Sequence, residues 1–209
     1  MILPRFYPIL DTRALQTRQV EPLQAFSRLV EVGARIVQLR HKDEWTRGFF
    51  DLAEKMADAA RNAGVTFVVN DRADVALAAG AAGVHLGQTD LTPTQVRSFA
   101  GDRLLIGLST HNEAQLREAE GEPADYLALG PIFGTQSKDR PDPTVGLDGL
   151  RGLRGLTNRP LTVIGGVTRS TAPQAWEAGA ASCAVIADML EGDWRESMRQ
   201  WAELAQGRG

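Results

Sequence analysis

Short apolar runs alternate with longer amphipathic segments along the whole chain. Runs of four or five mainly apolar residues, bounded by turn residues, are typical of buried strands. Eight such runs predict strands at Phe6–Leu10, Ile36–Leu39, Thr66–Val69, Gly83–Leu86, Leu104–Leu108, Tyr126–Leu129, Leu161–Ile164 and Cys183–Ile186.

The segments between these runs have apolar residues every three or four positions, which is typical of helices that pack on one face. Most of them end at a glycine next to an alanine, and glycine closes a helix in the left-handed conformation at little cost. The predicted helices are Leu23–Val32, Phe49–Asn62, Pro93–Ala100, Glu113–Glu120, Thr171–Ala178 and Trp194–Gln206.

Strands that alternate with helices favour a parallel sheet with right-handed crossovers. Eight strand–helix units share 209 residues, which leaves about 26 residues for each and suits a small barrel with short loops. We therefore predict an α/β fold, a single compact (β/α)8 TIM barrel whose one domain covers residues 1–209. An open doubly wound sheet is the alternative, and the even spacing of the units favours the barrel.

The composition and charge of the chain argue against several classes of protein. Hydrophobic residues make up 43% of the chain and charged residues 23%, which excludes wholesale disorder. The net charge of −3 provides no broad basic surface for nucleic acid, and no apolar run approaches the roughly 18 residues of a membrane-spanning helix. Arg5 and Pro8 interrupt the apolar start, so no secretory signal is expected. The lone Cys183 predicts a core thiol in a reducing, cytoplasmic setting.

Polar residues cluster at the predicted carboxyl ends of the strands, where parallel βα barrels carry their chemistry. The turns that lead into the strands hold mostly glycine, alanine and ordinary charges instead. This asymmetry indicates an enzyme. The polar residues after the first six strands are Asp11, Gln38, Arg40, Lys42, Asn70, Asp71, His85, Gln88, Asp90, Ser109, His111, Thr135, Ser137 and Lys138.

The second strand ends in two cations on one face. Side chains alternate along a strand, so Gln38, Arg40 and Lys42 share a face. If Val37 and Leu39 pack outward, that face points into the barrel mouth. Two close cations repel each other and call for an anion, and a diphosphate fits the planar fork of arginine and the compact charge of lysine. A solvated strand end with two surface cations is the alternative.

Two acidic residues follow neighbouring strands. Adjacent strands lie about 4.8 Å apart, so the carboxylates of Asp71 and Asp90 can converge, which requires a shared proton or a metal. Mg²⁺ prefers one or two carboxylates together with phosphate oxygens and water. The sequence therefore predicts a magnesium site beside a diphosphate site. Alternatively, Asn70 and Asp71 cap a helix over Ala73–Ala79, and Asp90 caps the helix that starts near Thr92.

The longest irregular segment is Gly130–Gly146. Its two hydroxyls and one ammonium, from Thr135, Ser137 and Lys138, suit an anion clamp that closes over substrate, although a surface insertion would look the same. The pair Gly165–Gly166 follows the seventh strand, where barrels frequently bind phosphate through backbone N–H groups. A glycine pair is also common in simple turns.

Nucleophilic chemistry is weakly represented. His41, His85 and His111 are dispersed and lack the spacing of metal ligands, and Cys183 has no partner that would activate it. His85 on an apolar strand is expected to be a core residue with its hydrogen bonds satisfied, and His111 is expected near the start of the helix after the fifth strand.

Six motifs span nearly the whole chain: Gln38–Lys42, Asn70–Asp71, Gly83–Asp90, Gly107–His111, Gly130–Phe133 and Ile164–Val167. In order and spacing they resemble the motifs of the thiamine phosphate synthase family. That family shares the compact barrel inferred above from the strand–helix rhythm.

The resemblance implies a reaction and a set of site residues. The family joins 4-amino-2-methyl-5-hydroxymethylpyrimidine diphosphate to a thiazole phosphate and releases diphosphate, and the C–O bond is thought to break first. By position, Asp71 and Asp90 would hold Mg²⁺. The pyrimidine diphosphate would contact Gln38, Leu39, Arg40, His41, Lys42, Asn70, Ser109 and Lys138. The thiazole phosphate would contact Thr135, Gln136, Ser137, Gly166, Ile186 and Ala187.

The chain departs from the family pattern at several positions. Gly134 stands where proline is frequent, Ser137 replaces a common threonine, and Ala187–Asp188 stands where serine followed by a small apolar residue is usual. An inward-pointing Asp188 would disfavour a bound phosphate. Two other functions are consistent with the same fold: a thiazole tautomerase with His111 as its base, and a non-catalytic barrel that binds a phosphorylated metabolite.

Overall fold

Eight parallel strands close into a barrel in the computed structural model, which describes residues 2–134 and 143–207. Each strand pairs with the next along the chain, and the last pairs with the first. The predicted closed barrel is confirmed and the doubly wound sheet is wrong, while the single domain over residues 1–209 stays a prediction. The strands are Phe6–Asp11 (β1), Ile36–Arg40 (β2), Thr66–Asn70 (β3), Gly83–Leu86 (β4), Leu105–Thr110 (β5), Tyr126–Leu129 (β6), Leu161–Val163 (β7) and Ser182–Val185 (β8).

Helices surround the barrel and connect its strands. No helix within residues 2–134 and 143–207 is long and apolar enough to cross a membrane. The helices are Thr12–Thr17 (α1), Pro22–Glu31 (α2), Arg47–Ala63 (α3), Ala73–Ala78 (α4), Pro93–Ala100 (α5), Glu113–Ala119 (α6), Gly146–Arg154 (α7), Ala172–Glu177 (α8) and Trp194–Ala205 (α9), with short 3-10 turns at Gly101–Arg103 and Asp188–Leu190.

Three of these helices, α1, α4 and α7, are absent from those that the apolar pattern predicts, although α4 is the helix named above in the capping alternative. α1 has only six residues and is capped by Asp11, which accepts a hydrogen bond from the backbone of Ala14. α7 contains glycines among its leucines and arginines, and glycine is a poor helix former. Its leucines nevertheless recur at helical spacing and pack on the core.

The alternation of side chains along each strand separates two apolar layers. In β2, Val37 and Leu39 point outward and are fully buried between the barrel and the helices. Ile36 points inward, into a smaller cluster that includes Tyr7 and Tyr126. Inward-facing residues at the carboxyl ends of the strands therefore line the mouth of the barrel, and this layer carries the polar residues described next.

Candidate active site at the barrel mouth

The end of β2 carries two cations, and each of them meets a carboxylate. Arg40 forms an ion pair with Asp11, its register partner at the end of β1. Lys42 Nζ donates to Oδ2 of Asp71, which follows β3, at 2.6 Å. The repulsion expected between the two cations is thus offset by two anionic groups. The cations are held at the mouth, and a polyanionic substrate would compete with these carboxylates for them.

Asp11 is a site residue that the sequence placed at a strand end without assigning it a role. One of its oxygens caps α1 through the backbone N–H of Ala14 at 2.9 Å, and the other pairs with Arg40. A cap is the simplest interpretation of an aspartate between a strand and a helix. The pairing with Arg40 could have been predicted from the register of the parallel strands, which places Asp11 opposite Arg40.

The carboxylates of Asp71 and Asp90 lie within hydrogen-bonding reach of each other, as the strand spacing predicted. Burial is the main cause that raises the pKa of Asp90, and the Asp71 carboxylate raises it further, whereas the N–H of Gly87, which donates to Asp90 at 2.7 Å, opposes the shift. One ammonium, from Lys42, serves both carboxylates. Within the part of the chain that the structure describes, the pair therefore keeps an excess of negative charge that a divalent cation would neutralise.

The donor set suits magnesium better than a transition metal. Among the described residues, no group of three or more histidine, cysteine, aspartate or glutamate side chains could hold a metal ion. Two carboxylates alone would leave most of the coordination shell to water and to substrate oxygens, which is how Mg²⁺ is usually held. Asp71 and Asp90 fit that requirement.

Neither carboxylate caps a helix, so both capping alternatives are wrong. The N-cap of α4 is Arg72, without a capping side chain, and α5 is capped by Thr92 in a reciprocal arrangement with Gln95. Asp71 instead has a φ of 66°, a left-handed conformation that aspartate tolerates better than most residues. Its own N–H donates to the carbonyl of His85 at 2.8 Å. Such conformations concentrate at functional sites.

Asn70 presents an unsatisfied donor on the inner face of β3. The side chain is buried, and its Nδ2 has no hydrogen-bond partner among the described residues. Leaving a buried donor unpaired costs about 1–3 kcal/mol. A ligand acceptor in the mouth would recover that cost, which makes Asn70 a strong candidate for substrate contact.

A chain of hydrogen bonds runs through the barrel interior to the mouth. Gln38 Nε2 donates to the Tyr7 hydroxyl at 3.0 Å, and the Tyr7 and Tyr126 hydroxyl oxygens are 2.7 Å apart. The Tyr126 oxygen lies 2.9 Å from His85 Nδ1, and His85 Nε2 lies 2.8 Å from Ser109 Oγ. Five strands are connected in this way.

Burial sets the protonation states along this chain. It raises the pKa of Tyr7 to about 12, raises that of Tyr126 well above its usual value, and lowers the pKa of His85 to about 4. Both phenols and a neutral imidazole are therefore present at neutral pH. His85 is a buried residue with both ring nitrogens bonded, as predicted. The two tyrosines lie inside ordinary apolar runs, so the sequence pattern does not distinguish them from core residues.

The loop after β6 lies against the glycine pair after β7. The N–H of Phe133 donates to the carbonyl of Gly165 at 2.9 Å. A Cβ on Gly166 would overlap the carbonyl oxygen of Gly134, and both glycines of the pair have positive φ. Glycine is thus required here to let the two loops meet. The clamp and ligand candidates Thr135, Gln136, Ser137 and Lys138 lie outside the described residues.

Asp188 directs its carboxylate away from the mouth. It pairs with Arg169 Nε at 2.9 Å and accepts from the indole N–H of Trp201 in α9 at 2.7 Å. The conflict that an inward-pointing carboxylate would create with a phosphate therefore does not arise. Beside it, Ile186 packs on the inner cluster and Ala187 is exposed.

Two predicted contact residues point their side chains elsewhere. Leu39 is fully buried in the outer layer. His41 stacks on Phe49, with ring centroids 3.6 Å apart, and its Nδ1 is 2.9 Å from Thr12 Oγ1. Any contact that Leu39 or His41 makes at the mouth would therefore involve the backbone. Cys183 is buried, and burial raises its pKa to about 12, so it is a core thiol as predicted.

Comparisons with known proteins point to one family. A family model described as thiamine monophosphate synthase matches residues 6–189. The thiamine-phosphate synthase of Koribacter versatilis is 45% identical over 190 residues, which is 90% of each chain, and that of Syntrophomonas wolfei is 37% identical over 93% of this chain and 95% of its own. A solved thiamine phosphate pyrophosphorylase from Pyrococcus furiosus superposes with a TM-score of 0.85 at 28% identity, covering 98% of this chain and 96% of its own.

Proposed function

The chain belongs to the thiamine monophosphate synthase family, and from this premise we propose how its own residues carry out the reaction. The enzyme transfers a pyrimidinylmethyl group with release of diphosphate. The donor is 4-amino-2-methyl-5-hydroxymethylpyrimidine diphosphate, the acceptor is the ring nitrogen of a thiazole phosphate, and the product is thiamine phosphate.

The observation that carries the assignment of the site is the convergence of Arg40, Lys42, Asp71 and Asp90 at one rim. The guanidinium and the ammonium bind the diphosphate of the donor. The Nδ2 of Asn70, which has no partner among the residues described, donates to the same molecule. Binding exchanges two internal ion pairs for contacts with a more highly charged anion.

Asp71 and Asp90 would hold Mg²⁺, and the ion would supply positive charge that stabilises the leaving diphosphate. In this arrangement the repulsion between the two carboxylates no longer opposes folding of the rim. Lys42 already donates to Asp71, so its ammonium is next to one of these two carboxylates.

Bond cleavage places negative charge on the departing diphosphate, and the rim is built to stabilise it. The C–O electron pair leaves with the diphosphate oxygen, and the pyrimidine methylene carbon becomes cationic. Arg40 and Lys42 stabilise the oxygen charge as it develops. The thiazole nitrogen then donates its lone pair to the methylene carbon. No side-chain nucleophile is needed, which agrees with the buried, unreactive Cys183.

The thiazole phosphate binds at the opposite side of the mouth, after β7 and β8. Gly166 offers a backbone without a side chain, and the carboxylate of Asp188 is paired with Arg169 instead of facing the segment Ile186–Ala187. From the resemblance alone, Thr135, Gln136 and Ser137 complete the thiazole phosphate site, and Lys138 joins the contacts to the pyrimidine diphosphate. The substrates are small molecules, and the single buried thiol suits a cytoplasmic location.

The tautomerase and the non-catalytic barrel are less well supported. Neither needs the paired carboxylates or the Arg40 and Lys42 set, and the relatives described above are named as synthases. His111, the base that a tautomerase would use, has its Nδ1 2.6 Å from the carbonyl oxygen of Gly130. The helix that follows begins at the cap Asn112 rather than at His111.

A reconstituted assay tests the function. Purified protein with both substrates and Mg²⁺ is expected to form thiamine phosphate and diphosphate in equal amounts. Omission of the thiazole phosphate should abolish thiamine phosphate formation, and addition of a chelator should stop turnover. Absence of product across a full Mg²⁺ titration would reject the proposal.

A further inference from the structure

The hydrogen-bond chain beneath the mouth has a direction. The amide nitrogen of Gln38 donates to the Tyr7 oxygen at 3.0 Å, so the single Tyr7 hydroxyl hydrogen is available for Tyr126. A hydroxyl has only one hydrogen to donate. Since the Tyr126 oxygen accepts from Tyr7, its own hydrogen goes to its other partner, Nδ1 of His85 at 2.9 Å.

This direction determines the tautomer of the imidazole. A ring nitrogen that accepts a hydrogen bond carries no proton, so the neutral ring of His85 is protonated on Nε2. Nε2–H then donates to Ser109 Oγ at 2.8 Å. Ser109 therefore keeps its own hydroxyl hydrogen for another acceptor. In the reverse direction, Ser109 would donate to His85 and only its lone pairs would remain.

Gly107 supports the importance of the bond between Tyr126 and His85. It lies between these two residues in the register of β4, β5 and β6. A Cβ at this position would overlap both His85 Nδ1 and the Tyr126 hydroxyl. Glycine weakens a strand interior, and here it leaves open the space that the hydrogen bond occupies.

We propose that Tyr126 is a positioning residue: it fixes His85 in the Nε2–H tautomer and so makes the Ser109 hydroxyl a donor to the departing diphosphate. This inference rests on the proposed function, because it takes Ser109 to face the pyrimidine diphosphate. The distinction matters chemically. A hydroxyl hydrogen stabilises negative charge on a leaving oxygen, whereas a lone pair repels it.

The tautomer can be measured without substrate. The chain contains three histidines, so long-range proton–nitrogen NMR spectra of protein labelled with ¹⁵N-histidine are simple, and a His85→Gln variant assigns the His85 signals. The expected result at neutral pH is a protonated Nε2 and an unprotonated Nδ1. A protonated Nδ1 would mean that the chain runs the other way and would overturn the inference.

Removal of the donor tests the consequence for catalysis. Tyr126→Phe deletes the hydroxyl that selects the tautomer, so the His85 signals should move toward a mixture of both forms. We expect kcat to fall in proportion to the loss of the Nε2–H form, by about two- to tenfold if half to nine-tenths of that form is lost, while KM for the thiazole phosphate stays within about twofold. Thr162→Val is the matched control. It deletes a buried hydroxyl that donates to the carbonyl oxygen of Ser182 at 3.2 Å, and this bond is not part of the series of hydrogen bonds from Gln38 to Ser109. It should change neither the tautomer nor kcat.

A double variant separates positioning from general damage. If Tyr126 acts through Ser109, Ser109→Ala combined with Tyr126→Phe should be no slower than Ser109→Ala alone. Losses that multiply would show that Tyr126 acts by another route and would overturn the inference. Inactivity of the unmodified protein would reject the proposed function itself, whereas a protonated Nδ1 in an active enzyme would reject only the positioning role.

Discussion

A pair of carboxylates and a single carboxylate lie at the same end of the barrel, and they differ in how their charge is balanced. Asp71 and Asp90, after β3 and β4, are half-buried, and the ammonium that they share within residues 2–134 and 143–207 is that of Lys42. Asp188, after β8, is more deeply buried, yet it pairs with Arg169 and accepts a hydrogen bond from Trp201.

The difference distinguishes a binding site from a structural contact. At Asp188 one negative charge meets one positive charge, and the donors come from the protein itself. At the rim, negative charge is left uncompensated among the described residues, and Asp71 has a positive φ. Folded proteins tolerate such a charge imbalance at sites where a bound ligand supplies the missing charge. The rim should therefore respond to mutation through activity, and Asp188 through stability.

The largest expected effect is the loss of turnover at the rim. Asp71→Asn and Asp90→Asn keep the shape of the side chain and remove a charge that would bind Mg²⁺. Each should lower kcat/KM by about 10²–10³-fold, the size of effect seen when one electrostatic contact to a transition state is lost. Steady-state assays across a Mg²⁺ titration measure this.

The same variants should be no less stable than the parent, because each removes repulsion between two carboxylates. Mg²⁺ alone should raise the Tm of the parent protein, since a ligand that binds only the folded state stabilises it. That shift should vanish in Asp90→Asn. Full activity in either variant, or an unchanged Mg²⁺ shift, would show that these carboxylates are not the metal ligands.

Asp188→Asn should lower stability and leave activity nearly unchanged, the reverse of what we expect for the rim variants. Asparagine still accepts from Trp201 but leaves the partly buried Arg169 without its counter-charge, and breaking a buried pair is costly. We expect a loss of about 2 kcal/mol in unfolding free energy, which lowers Tm by about 4–8 °C in a chain of this size. At saturating substrates and Mg²⁺, kcat should stay within about twofold. Thermal unfolding and steady-state kinetics measure the two quantities.

Arg169→Gln is the matched control for Asp188→Asn. Each single variant breaks the same ion pair, so the double variant should lose less stability than the sum of the two. An additive loss would contradict a direct pairing. A collapse of activity without a loss of stability would place Asp188 in the catalytic site and would remove the contrast with the rim.

The strands could be predicted because they are buried on both faces and are bounded by turn residues. All eight predicted strands match those of the structure to within one or two residues at each end. The convergence of Asp71 and Asp90 also followed from strand spacing alone. Parallel topology converts positions along the chain into positions on a rim, so a polar residue at a strand end is informative.

Contacts between distant inward-facing residues could not be predicted in the same way. The Tyr7 and Tyr126 hydroxyls belong to residues 119 positions apart. Both tyrosines lie in apolar runs, so each is already accounted for as a core residue of a buried strand. Asp188 illustrates the other limit. The sequence places it beside a phosphate site, but only the partners Arg169 and Trp201, from other elements, decide which way it points.

The smallest expected effect uses the single cysteine as a probe of both regions. Cys183 lies in β8, is fully buried and has a pKa of about 12, so a thiol reagent should reach it only when the structure opens. If opening follows global stability, a loss of about 2 kcal/mol in Asp188→Asn should speed labelling by at most about 30-fold. Asp71→Asn should label at the parental rate. Equally fast labelling in both variants would mean that Asp71 and Asp188 contribute alike to stability, and it would contradict the comparison. Faster labelling in Asp188→Asn alone would locate the structural contact at Asp188.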